Sequence, residues 1–520
     1  MSDIEKSGVN VVVSSVDIES QNKDEVIGVI ISPSGKPIQI TGDVDVAMKY
    51  AINNKEGHIE LDEITSKRIL RKIDMFLLPV LCLLYCFQFM DKLSNAYASV
   101  LGLRTDLKMV GDMYSWTGTS FYIGYLFFEF PASYLLQRFP VAKTVAAFII
   151  TWGVVLCCHA LPQYAGFIAL RTLLGMLESS ITPAFTIITA QWYTQEEQFM
   201  RVACWFACNG FGTILGGAIS YGLGENQESY TIRAWKLVFV VTGCLTIFLG
   251  IVVAIHIPDT PAQAWFLTNE EKSLVVERIR TNQQGFGNRH FKKHQFIEAV
   301  TDYKTWLIFF FGLASNIPNG GMTNFGNILL TEDLGYAPQQ SLLMQMPAGA
   351  VEIVGCIGLA YISTLVNSRM LLAFIGTGFT VMAQCFLAFG KQPELRMAGY
   401  SLYALGPIGF ICMLSVVASN VAGHTKKVTT NAIFLIGYCV GNLIGPQTFR
   451  AEQAPKYQGA KTTIVICGII SLVIIGAVWY AYIWENKKKD KINKADYPKF
   501  ENQEFADLTD KENVDFRYQT

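Results

Sequence analysis

The sequence is dominated by apolar stretches of about twenty residues, which recur along the chain with short polar segments between them. A helix of twenty residues is about 30 Å long, close to the thickness of the hydrocarbon core of a bilayer. A chain inside hydrocarbon must satisfy its backbone hydrogen bonds internally, and a helix does so. The pattern therefore predicts an all-α membrane protein with 12 transmembrane helices. The predicted spans lie near residues 75–93, 114–136, 141–161, 165–192, 202–223, 237–257, 306–330, 342–366, 370–389, 397–420, 429–449 and 462–484.

Composition excludes several classes of protein. Hydrophobic residues make up 51% of the chain and charged residues only 16%, a balance that water-soluble proteins of this length rarely show. The net charge is −1 and no basic stripe carries interleaved aromatic residues, so nucleic acid is not an expected partner. The lipid bilayer is the expected environment.

Cysteine and histidine give no sign of a metal or another cofactor. All twelve cysteines fall within apolar stretches, where they pack as small residues, and no disulfide framework is expected. His290 and His294 are four positions apart, but no third ligand is evident. Their segment, residues 289–300, is predicted to form an interfacial amphipathic helix.

Basic residues predict the orientation and the division of the chain. If both termini face the cytosol, about twenty Lys and Arg lie on the cytosolic side and about nine lie outside, as expected for a membrane protein. We predict a cytosolic N-terminal tail (1–72), a six-helix bundle (73–257), a cytosolic linker (258–304), a second six-helix bundle (305–484) and a cytosolic C-terminal tail (485–520). Two such halves are typical of secondary carriers.

Glycines in two corresponding spans are spaced for close contact between helices. The fifth span contains Gly210, Gly212, Gly216 and Gly217, and the eleventh contains Gly437, Gly441 and Gly445. Small residues at such spacing let two helix backbones approach closely. The alternative is the ordinary enrichment of glycine in membrane helices.

Few ionisable side chains lie within the predicted spans, and each is a candidate for function. A charged group in hydrocarbon costs several kcal/mol unless it is paired or faces water. The candidates are Asp91, Lys92, Glu129, Arg171, Glu178 and Glu352.

Arg171 and Glu178 share the fourth span. They are seven positions apart, and so lie two turns and about 10.5 Å apart on one face of a helix, where both can line one cavity. A guanidinium can bind a carboxylate through two parallel hydrogen bonds, and desolvation helps a glutamate to carry a proton. The pair predicts an anion-binding residue beside a proton carrier. A structural ion pair between helices is the alternative.

The other ionisable residues are less specific. Asp91 and Lys92 are neighbours and point about 100° apart, so at most one of them faces the cavity centre. We favour Lys92, although a lysine near a helix end can also extend to the interface. Glu129 and Glu352 are further candidates for proton coupling, and a buried, hydrogen-bonded packing role is the alternative for both.

The seventh span contains Asn316, Pro318, Asn319 and Gly320. Proline removes a backbone donor and glycine loosens the helix, so we expect amides and carbonyls available to a ligand at Asn316 and Asn319, and a gate at Pro318 and Gly320. A proline kink satisfied by neighbouring helices is the alternative. Tyr85 and Tyr122 are expected to close around the apolar part of a substrate.

Several motifs resemble those of a known family. The stretch RTLLGMLESSITP at 171–183 resembles the fourth-helix signature of the anion:cation symporters of the major facilitator superfamily. Further matches are FMDK at 89–92, LQRFP at 136–140 and PDTP at 258–261. The motifs NIPNGG at 316–321 and HTKK at 424–427 resemble the fungal allantoate permease branch. The resemblance covers roughly residues 73–484 and implies the major facilitator fold.

The resemblance also implies a function. Members of this branch take up small organic anions with protons at the plasma membrane, and their substrates include carboxylates such as allantoate, other ureido acids, vitamins and small peptides. In related vesicular and lysosomal anion carriers, a basic residue of the first helix and an arginine of the fourth bind the anion, while a glutamate of the fourth couples protons. These roles would fall on Lys92, Arg171 and Glu178.

The chain departs from its relatives at two places. Vesicular glutamate carriers have a second basic residue in the seventh helix, where this chain has Asn316 to Gly321. The basic loop after the second helix is reduced here to Gln137, Arg138 and Lys143, and Arg138 is expected by its position to act in the cytosolic gate.

We therefore hypothesise a secondary active transporter that takes up a small organic anion with protons by alternating access. The alternatives are a nutrient sensor with the fold of a carrier, and a carrier of a sulfonate or another sulfur-containing anion. An enzyme is not expected, because the sequence has no Ser/His/Asp set, no H-E-x-x-H and no phosphate-binding glycine loop.

Overall fold

The fold is described from a computed structural model, which covers residues 26–31, 37–41, 63–280, 292–366, 368–491 and 508–520. Two short strands, β1 (Val26–Ile31) and β2 (Pro37–Thr41), pair antiparallel in the N-terminal tail. The helices of the first half are α1 (Glu63–Phe76), α2 (Leu78–Ala98), α3 (Met113–Arg138), α4 (Val141–Cys158), α5 (Tyr164–Glu178), α6 (Ile181–Trp192), α7 (Gln195–Glu225) and α8 (Ala234–His256).

Two linker helices, α9 (Asn269–Arg280) and α10 (Lys293–Thr301), follow. The helices of the second half are α11 (Tyr303–Ile328), α12 (Pro338–Met344), α13 (Met346–Leu365), α14 (Arg369–Phe389), α15 (Pro393–Leu402), α16 (Pro407–Asn420), α17 (His424–Ile444) and α18 (Gln458–Asp490). Short helical turns lie at Ser99–Leu103, Arg104–Asp106, Gln227–Ser229, Pro261–Gln263, Leu329–Asp333, Tyr403–Leu405, Gly445–Thr448 and Ala451–Gln453. The predicted all-α membrane fold is confirmed, with the small hairpin outside the helical bundles.

The hydropathy of the helices supports most of the predicted spans. Nine helices within the described residues are long and apolar enough to cross a bilayer. The second, fourth and seventh predicted spans are helical as well, but α3 and α11 carry more polar residues and the fourth is divided into α5 and α6. The count of twelve therefore stays a prediction. Large apolar side chains such as Phe127, Ile255 and Val473 point outward, as expected for helices surrounded by lipid.

The helices pack within each half and also between the halves. In the first half, α2 packs on α7 and α8, α3 on α5, and α4 on α8; in the second, α11 packs on α17 and α18, and α14 on α16 and α18. Between the halves, α7 packs on α13, α3 on α17 and α2 on α11. We call the end of the bundle that carries α9 and α10 the linker side, and the other end the opposite side. The linker side is the one that the basic residues predict to be cytosolic.

The helix α11 differs from its prediction. It stays helical through Pro318 and Gly320, and its π-helical turn comes only at Leu329–Asp333. The backbone of Gly320 packs against Asn442, and its carbonyl accepts a hydrogen bond from the Asn324 side chain at 2.9 Å. The expected loosening of this helix is therefore not seen in this conformation, in which close packing surrounds Gly320, and the gate at Pro318 and Gly320 stays a prediction.

The linker prediction can be examined in part. The helix α10 spans Lys293–Thr301, inside the expected amphipathic segment, while the rest of that segment up to residue 291, including His290, lies outside the described residues. Most of the predicted N-terminal tail and part of the C-terminal tail also lie outside them.

The eleventh-span glycines do bring two helices into backbone contact. A Cβ atom added at Gly437 would lie 2.5 Å from the carbonyl oxygen of Phe309, and one added at Gly445 would lie 2.5 Å from that of Ile317. Gly441, between them, packs on the carbonyl of Leu313. Three glycines spaced four residues apart thus form the face of α17 that contacts α11.

We expect Gly437→Ala and Gly445→Ala each to destabilise the protein by about 1–3 kcal/mol, because the added methyl group forces two helix backbones apart. The measurement is the thermal unfolding temperature of the purified protein in detergent. Gly378→Ala in α14 is the matched control, because no atom lies within 4 Å of its added Cβ. Equal unfolding temperatures for all three variants would contradict the backbone contact.

Candidate functional site

A cavity of about 220 Å³ lies between the two halves. Aromatic rings and side-chain amides are prominent in its wall, and among the described residues two charged side chains, Lys92 and Glu352, line it. The polar and aromatic lining residues include Tyr85, Gln88, Phe89, Trp205, Phe206, Asn209, Asn316, Asn319, Gln345, Gln384, Tyr400, Tyr403, Phe410 and Tyr438. A mostly apolar cavity with a few convergent polar groups is the usual form of a small-molecule site.

Lys92 reaches the cavity from α2, on the same helix face as Gln88 one turn earlier. Its Nζ atom lies 6.0 Å from the ring centroid of Phe121 and 5.8 Å from that of Tyr125, so two aromatic faces contribute to holding the charge. No carboxylate of the described residues lies within ion-pair distance of this Nζ. The Glu178 carboxyl group acts on the ammonium electrostatically from beyond that distance, so the ammonium keeps its hydrogen-bond donors for an anionic ligand.

Asp91 faces away from the cavity, into the packing of the first half. Its Oδ2 atom accepts hydrogen bonds from Trp152 Nε1 at 3.0 Å and from Thr246 Oγ1 at 2.7 Å, and the residue is fully buried. The bonds join α2 to α4 and α8. This geometry favours a structural role for Asp91, and its expected part in proton coupling stays a prediction.

Glu178 lies one hydrogen bond behind the cavity wall. Gln88, which lines the cavity, donates from Nε2 to Glu178 Oε2 at 3.1 Å, and Glu178 itself is fully buried. The other carboxyl oxygen, Oε1, has no hydrogen-bond partner in the described structure. A proton on Glu178 would therefore be shielded from bulk water and connected to the cavity through Gln88.

Arg171 does not line the cavity in this conformation, and neither does Glu178, so the two residues do not share a cavity wall as expected. The guanidinium carbon lies 5.5 Å from the ring centroid of Phe167 and 5.4 Å from that of Phe239, which enclose it between α5 and α8. The side chain is buried, and its Nε and Nη2 atoms have no hydrogen-bond partner among the described residues. A buried guanidinium with unsatisfied donors retains capacity to bind an anion.

The second half supplies the amide groups of the site. Asn319 Nδ2 donates to Asn442 Oδ1 at 2.9 Å, and Asn442 Nδ2 donates to Asn316 Oδ1 at 3.3 Å. Asn316 and Asn319 both line the cavity, and their partner on α17 fixes their orientation. Glu352 lines the cavity from α13.

Of the two tyrosines expected to enclose a substrate, only Tyr85 lines the cavity. Its ring lies 4.4 Å from the ring of Trp205 and 5.3 Å from that of Phe206, in an aromatic cluster of the first half. Tyr122 is buried behind the wall, with its ring 6.4 Å from that of Tyr438, which does line the cavity. The expected direct contact of Tyr122 with a substrate is therefore absent in this conformation.

The remaining predicted residues lie at different depths. Glu129 is buried away from the cavity and accepts a hydrogen bond from Cys439 Sγ at 3.6 Å, while Arg138 is exposed on the linker side and donates to the Tyr134 hydroxyl at 2.8 Å. Pro318 lines the cavity, and Gly320 packs on α17 behind it. In the part of the chain that the structure covers, no group of three or more His, Cys, Asp and Glu side chains could hold a metal ion.

Polar contacts join the two halves on the opposite side of the cavity. The Tyr114 hydroxyl donates to the backbone oxygen of Asn324 at 2.8 Å, Asn95 Nδ2 donates to Asn324 Oδ1 at 3.3 Å, and Arg104 forms an ion pair with Glu332 at 2.8 Å. Toward the linker side, aromatic rings meet instead, with Phe206 6.2 Å from Phe410. The structure is therefore closed toward the opposite side by bonds that opening there must break.

Neutral polar residues of the site were missed at the sequence level. Gln88, Asn209, Gln345 and Gln384 line the cavity, whereas the amide side chains predicted for the site were confined to the seventh span. A search for amide side chains in apolar stretches would have found these residues, because an uncharged amide also needs hydrogen-bond partners in hydrocarbon. No signal in one sequence indicates which aromatic residues join them.

Comparison with known proteins identifies similar chains. The profile of the Major Facilitator Superfamily matches residues 81–446. An uncharacterized transporter of Schizosaccharomyces pombe is 48% identical over 96% of this chain and 97% of its own, and the allantoate permease of Saccharomyces cerevisiae is 45% identical over 96% of this chain and 94% of its own. Among solved structures, the proton:xylose symporter XylE has a TM-score of 0.62 at 11% identity, over 78% of this chain and 95% of its own.

We expect Thr246→Val to destabilise the protein by about 1–3 kcal/mol, because it removes a hydrogen bond from the buried Asp91 carboxylate. The measurement is the thermal unfolding temperature. Thr151→Val is the matched control, since its exposed hydroxyl bonds only to the Ala147 backbone oxygen and its loss should cost less than about 0.5 kcal/mol. If both variants unfold at the same temperature, the bond to Asp91 does not stabilise this packing.

Proposed function

The chain belongs to the major facilitator superfamily and, within it, to the fungal allantoate permease family, and from this premise we propose that it takes up a small organic carboxylate together with protons. It is an integral, multi-pass membrane protein and a transporter, not an enzyme. The proposed location is the plasma membrane, with the linker side and both termini in the cytosol.

The proposal rests mainly on one observation, which is the unpaired Lys92 ammonium in the cavity with Glu178 one hydrogen bond behind the wall. An ammonium without a carboxylate partner in an enclosed site attracts an anion, because low dielectric strengthens the interaction. A carboxylate on the substrate would bind Lys92. The hydrogen bond from Gln88 to Glu178 would couple this binding to the Glu178 carboxyl group. Protonation of Glu178 would then accompany binding of the anion.

The second half of the wall favours a substrate whose other end carries N–H groups. Glu352 is an acceptor when ionised, and the amides of Asn316 and Asn319 can both donate and accept. A second carboxylate on the substrate would face Glu352 and would be repelled whenever Glu352 is ionised. An acid with an amide or ureido end, such as the allantoate in the name of one relative, fits this distribution of charge.

Arg171 is proposed to act at another stage of the cycle. Its two unpaired nitrogen atoms are buried on the first-half side of the closed polar contacts. Separation of the halves at Asn95 and Asn324 would extend the cavity in that direction, and an anion arriving there would meet the guanidinium before it reaches Lys92. Alternating access would consist of breaking these contacts on one side and the Phe206–Phe410 contact on the other.

We expect proteoliposomes that contain the protein to accumulate a labelled carboxylate with an amide or ureido end when the outside is acidic, and to stop when the pH gradient is collapsed. The panel includes allantoate, a simple monocarboxylate, a dicarboxylate and a sulfonate. Lys92→Gln should weaken uptake at least tenfold, equivalent to about 1.4 kcal/mol, because it removes the ionic partner of the anion.

Lys391→Gln is the matched control for Lys92→Gln, because this lysine is exposed on the opposite side, and its uptake should equal that of the wild type. No accumulation of any anion under a pH gradient would refute proton-coupled uptake. Preferred uptake of the sulfonate would move the substrate class to sulfur-containing anions.

We expect Glu178→Gln to retain exchange of substrate between the two sides but to lose accumulation driven by the pH gradient, because the amide cannot take up the coupled proton. Counterflow and pH-driven uptake are measured in the same liposomes. Glu394→Gln, at an exposed carboxyl group on the opposite side, is the control and should keep pH-driven accumulation. Unchanged pH dependence in Glu178→Gln would assign the coupling to another carboxyl group, with Glu352 the next in position.

A further inference from the structure

The end of the chain, residues 508–520, packs against the linker side of the second half, and we call it the C-terminal segment. It contacts α10, the start of α11, the end of α16, the start of α17 and the end of α18. Its Phe516 and Tyr518 side chains join the apolar core of the second half. The C-terminal segment is therefore packed into the second half through contacts to five elements.

Asp510 anchors the C-terminal segment. Its carboxylate lies 2.6 Å from Lys426 Nζ and 3.4 Å from Lys304 Nζ, and it accepts a hydrogen bond of 2.6 Å from the Tyr518 hydroxyl. Asp510, Lys426 and Lys304 are at most 4% exposed. Burial alone would raise the pKa of Asp510, but Lys426 and Lys304 outweigh burial and hold its pKa below the ordinary value.

Two asparagine side chains at the ends of helices form hydrogen bonds with the backbone of the C-terminal segment. Asn420 donates to the backbone oxygen of Gln519 at 2.9 Å and accepts from its backbone N–H at 2.7 Å. Asn486 makes the same two bonds with Tyr518, at 2.8 and 2.9 Å. Each asparagine thus bonds both backbone groups of one residue, as a neighbouring strand would. The site therefore fits an extended backbone at Tyr518 and Gln519.

Lys489 adds three further bonds to the same backbone. Its Nζ atom donates to the carbonyl oxygens of Asp510, Asn513 and Phe516, at 2.5, 3.0 and 3.2 Å. The backbone that carries these three acceptors turns around a single ammonium group, which fixes the shape of this part of the C-terminal segment. A lysine at the end of α18 thus binds peptide oxygens instead of facing the bilayer surface.

The charges of the helices and of the C-terminal segment are complementary. Asp510 of the segment lies between Lys304 and Lys426, which also pair with Asp302, and Lys426 pairs in addition with Glu298. Lys511 of the segment forms an ion pair with the same Asp302 at 3.3 Å. The linker side of the second half is therefore shaped for a peptide in which a buried acidic residue is followed by a basic one.

We propose that the linker side of the second half is a binding site for the C-terminal segment and that its occupancy restrains α16 and α17 from moving relative to the rest of the second half. The restraint follows from the helices that the segment ties together. Asn420 ends α16 and Lys426 lies in the first turn of α17, and the same two helices carry Phe410 and Tyr438, which line the cavity. Moving either helix relative to α10, α11 and α18 while the segment is bound requires breaking its hydrogen bonds and ion pairs.

The binding site is tested on the full-length protein in lipid nanodiscs, with a recognition sequence for a site-specific protease placed within residues 492–507. After cleavage and dilution, the fraction of the C-terminal segment that stays bound is followed by mass spectrometry. Asp510→Asn should release it at least about tenfold faster than the wild type, because a buried charge-assisted bond is lost. Equal release from both proteins would overturn the binding site.

Matched variants separate specific from general effects. Gln519→Pro deletes the backbone donor to Asn420 and should accelerate release, whereas Gln519→Ala keeps it and should not. Asp490→Asn makes the same chemical change as Asp510→Asn at an exposed ion pair with Arg517, and its release should stay within about threefold of the wild type. Tyr518→Phe is a further test, since it removes only the hydroxyl between Lys304 and Asp510.

The restraint is tested by hydrogen exchange, which needs no substrate and so does not depend on the proposed transport activity. In uncut Asp510→Asn protein, amides at the end of α16 and in the first turn of α17 should exchange faster than in the wild type, while those of α4 should not change. If the C-terminal segment is released and these amides exchange at the wild-type rate, the segment is bound but does not restrain the helices, and that part of the proposal falls.

Discussion

The cost of leaving a charge unsatisfied in hydrocarbon governs the arrangement of this protein. Each ionisable side chain of the predicted spans meets that cost in its own way. Asp91 accepts two hydrogen bonds from neighbouring helices, Arg171 lies between two aromatic rings, and Lys92 and Glu352 face the cavity. The last solution places a charge directly on the cavity wall, whereas Arg171 keeps two unpaired nitrogen atoms behind it. The cavity is thus the place where charges of the bundle can meet a ligand in this conformation.

Much of this fold could be predicted from one sequence, because span length, glycine spacing and the isolation of charges are local properties. The glycines of the eleventh span are an example, since the close approach of α11 and α17 follows from their spacing of four. Sequence spacing alone does not decide which of Asp91 and Lys92 faces the cavity. The structure places Lys92 on the cavity side and turns Asp91 away from it. The enclosure of Arg171 could not be predicted, because it depends on Phe239 from another helix.

The two sides of the cavity are closed by different chemistry, and this difference bears on how the protein moves. On the opposite side, hydrogen bonds at Asn324 and the ion pair of Arg104 with Glu332 fix the halves in register. Toward the linker side, Phe206 meets Phe410 through ring contact, which is less directional. Bonds with strict geometry break as a group, whereas packed rings can slide. Opening toward the linker side therefore needs less disruption from this conformation.

Each half also has its own brace on the linker side. In the first half, α9 is tied to α1 by the ion pair of Lys72 with Glu271 and to α7 by that of Arg278 with Glu197. In the second half, the corresponding brace is the C-terminal segment around Asp510. Both braces keep the helix ends of one half together, and neither of them joins the two halves to each other. The helix ends of each half can therefore move together as a rigid body. A change that weakens one brace would allow single helices of that half to bend instead.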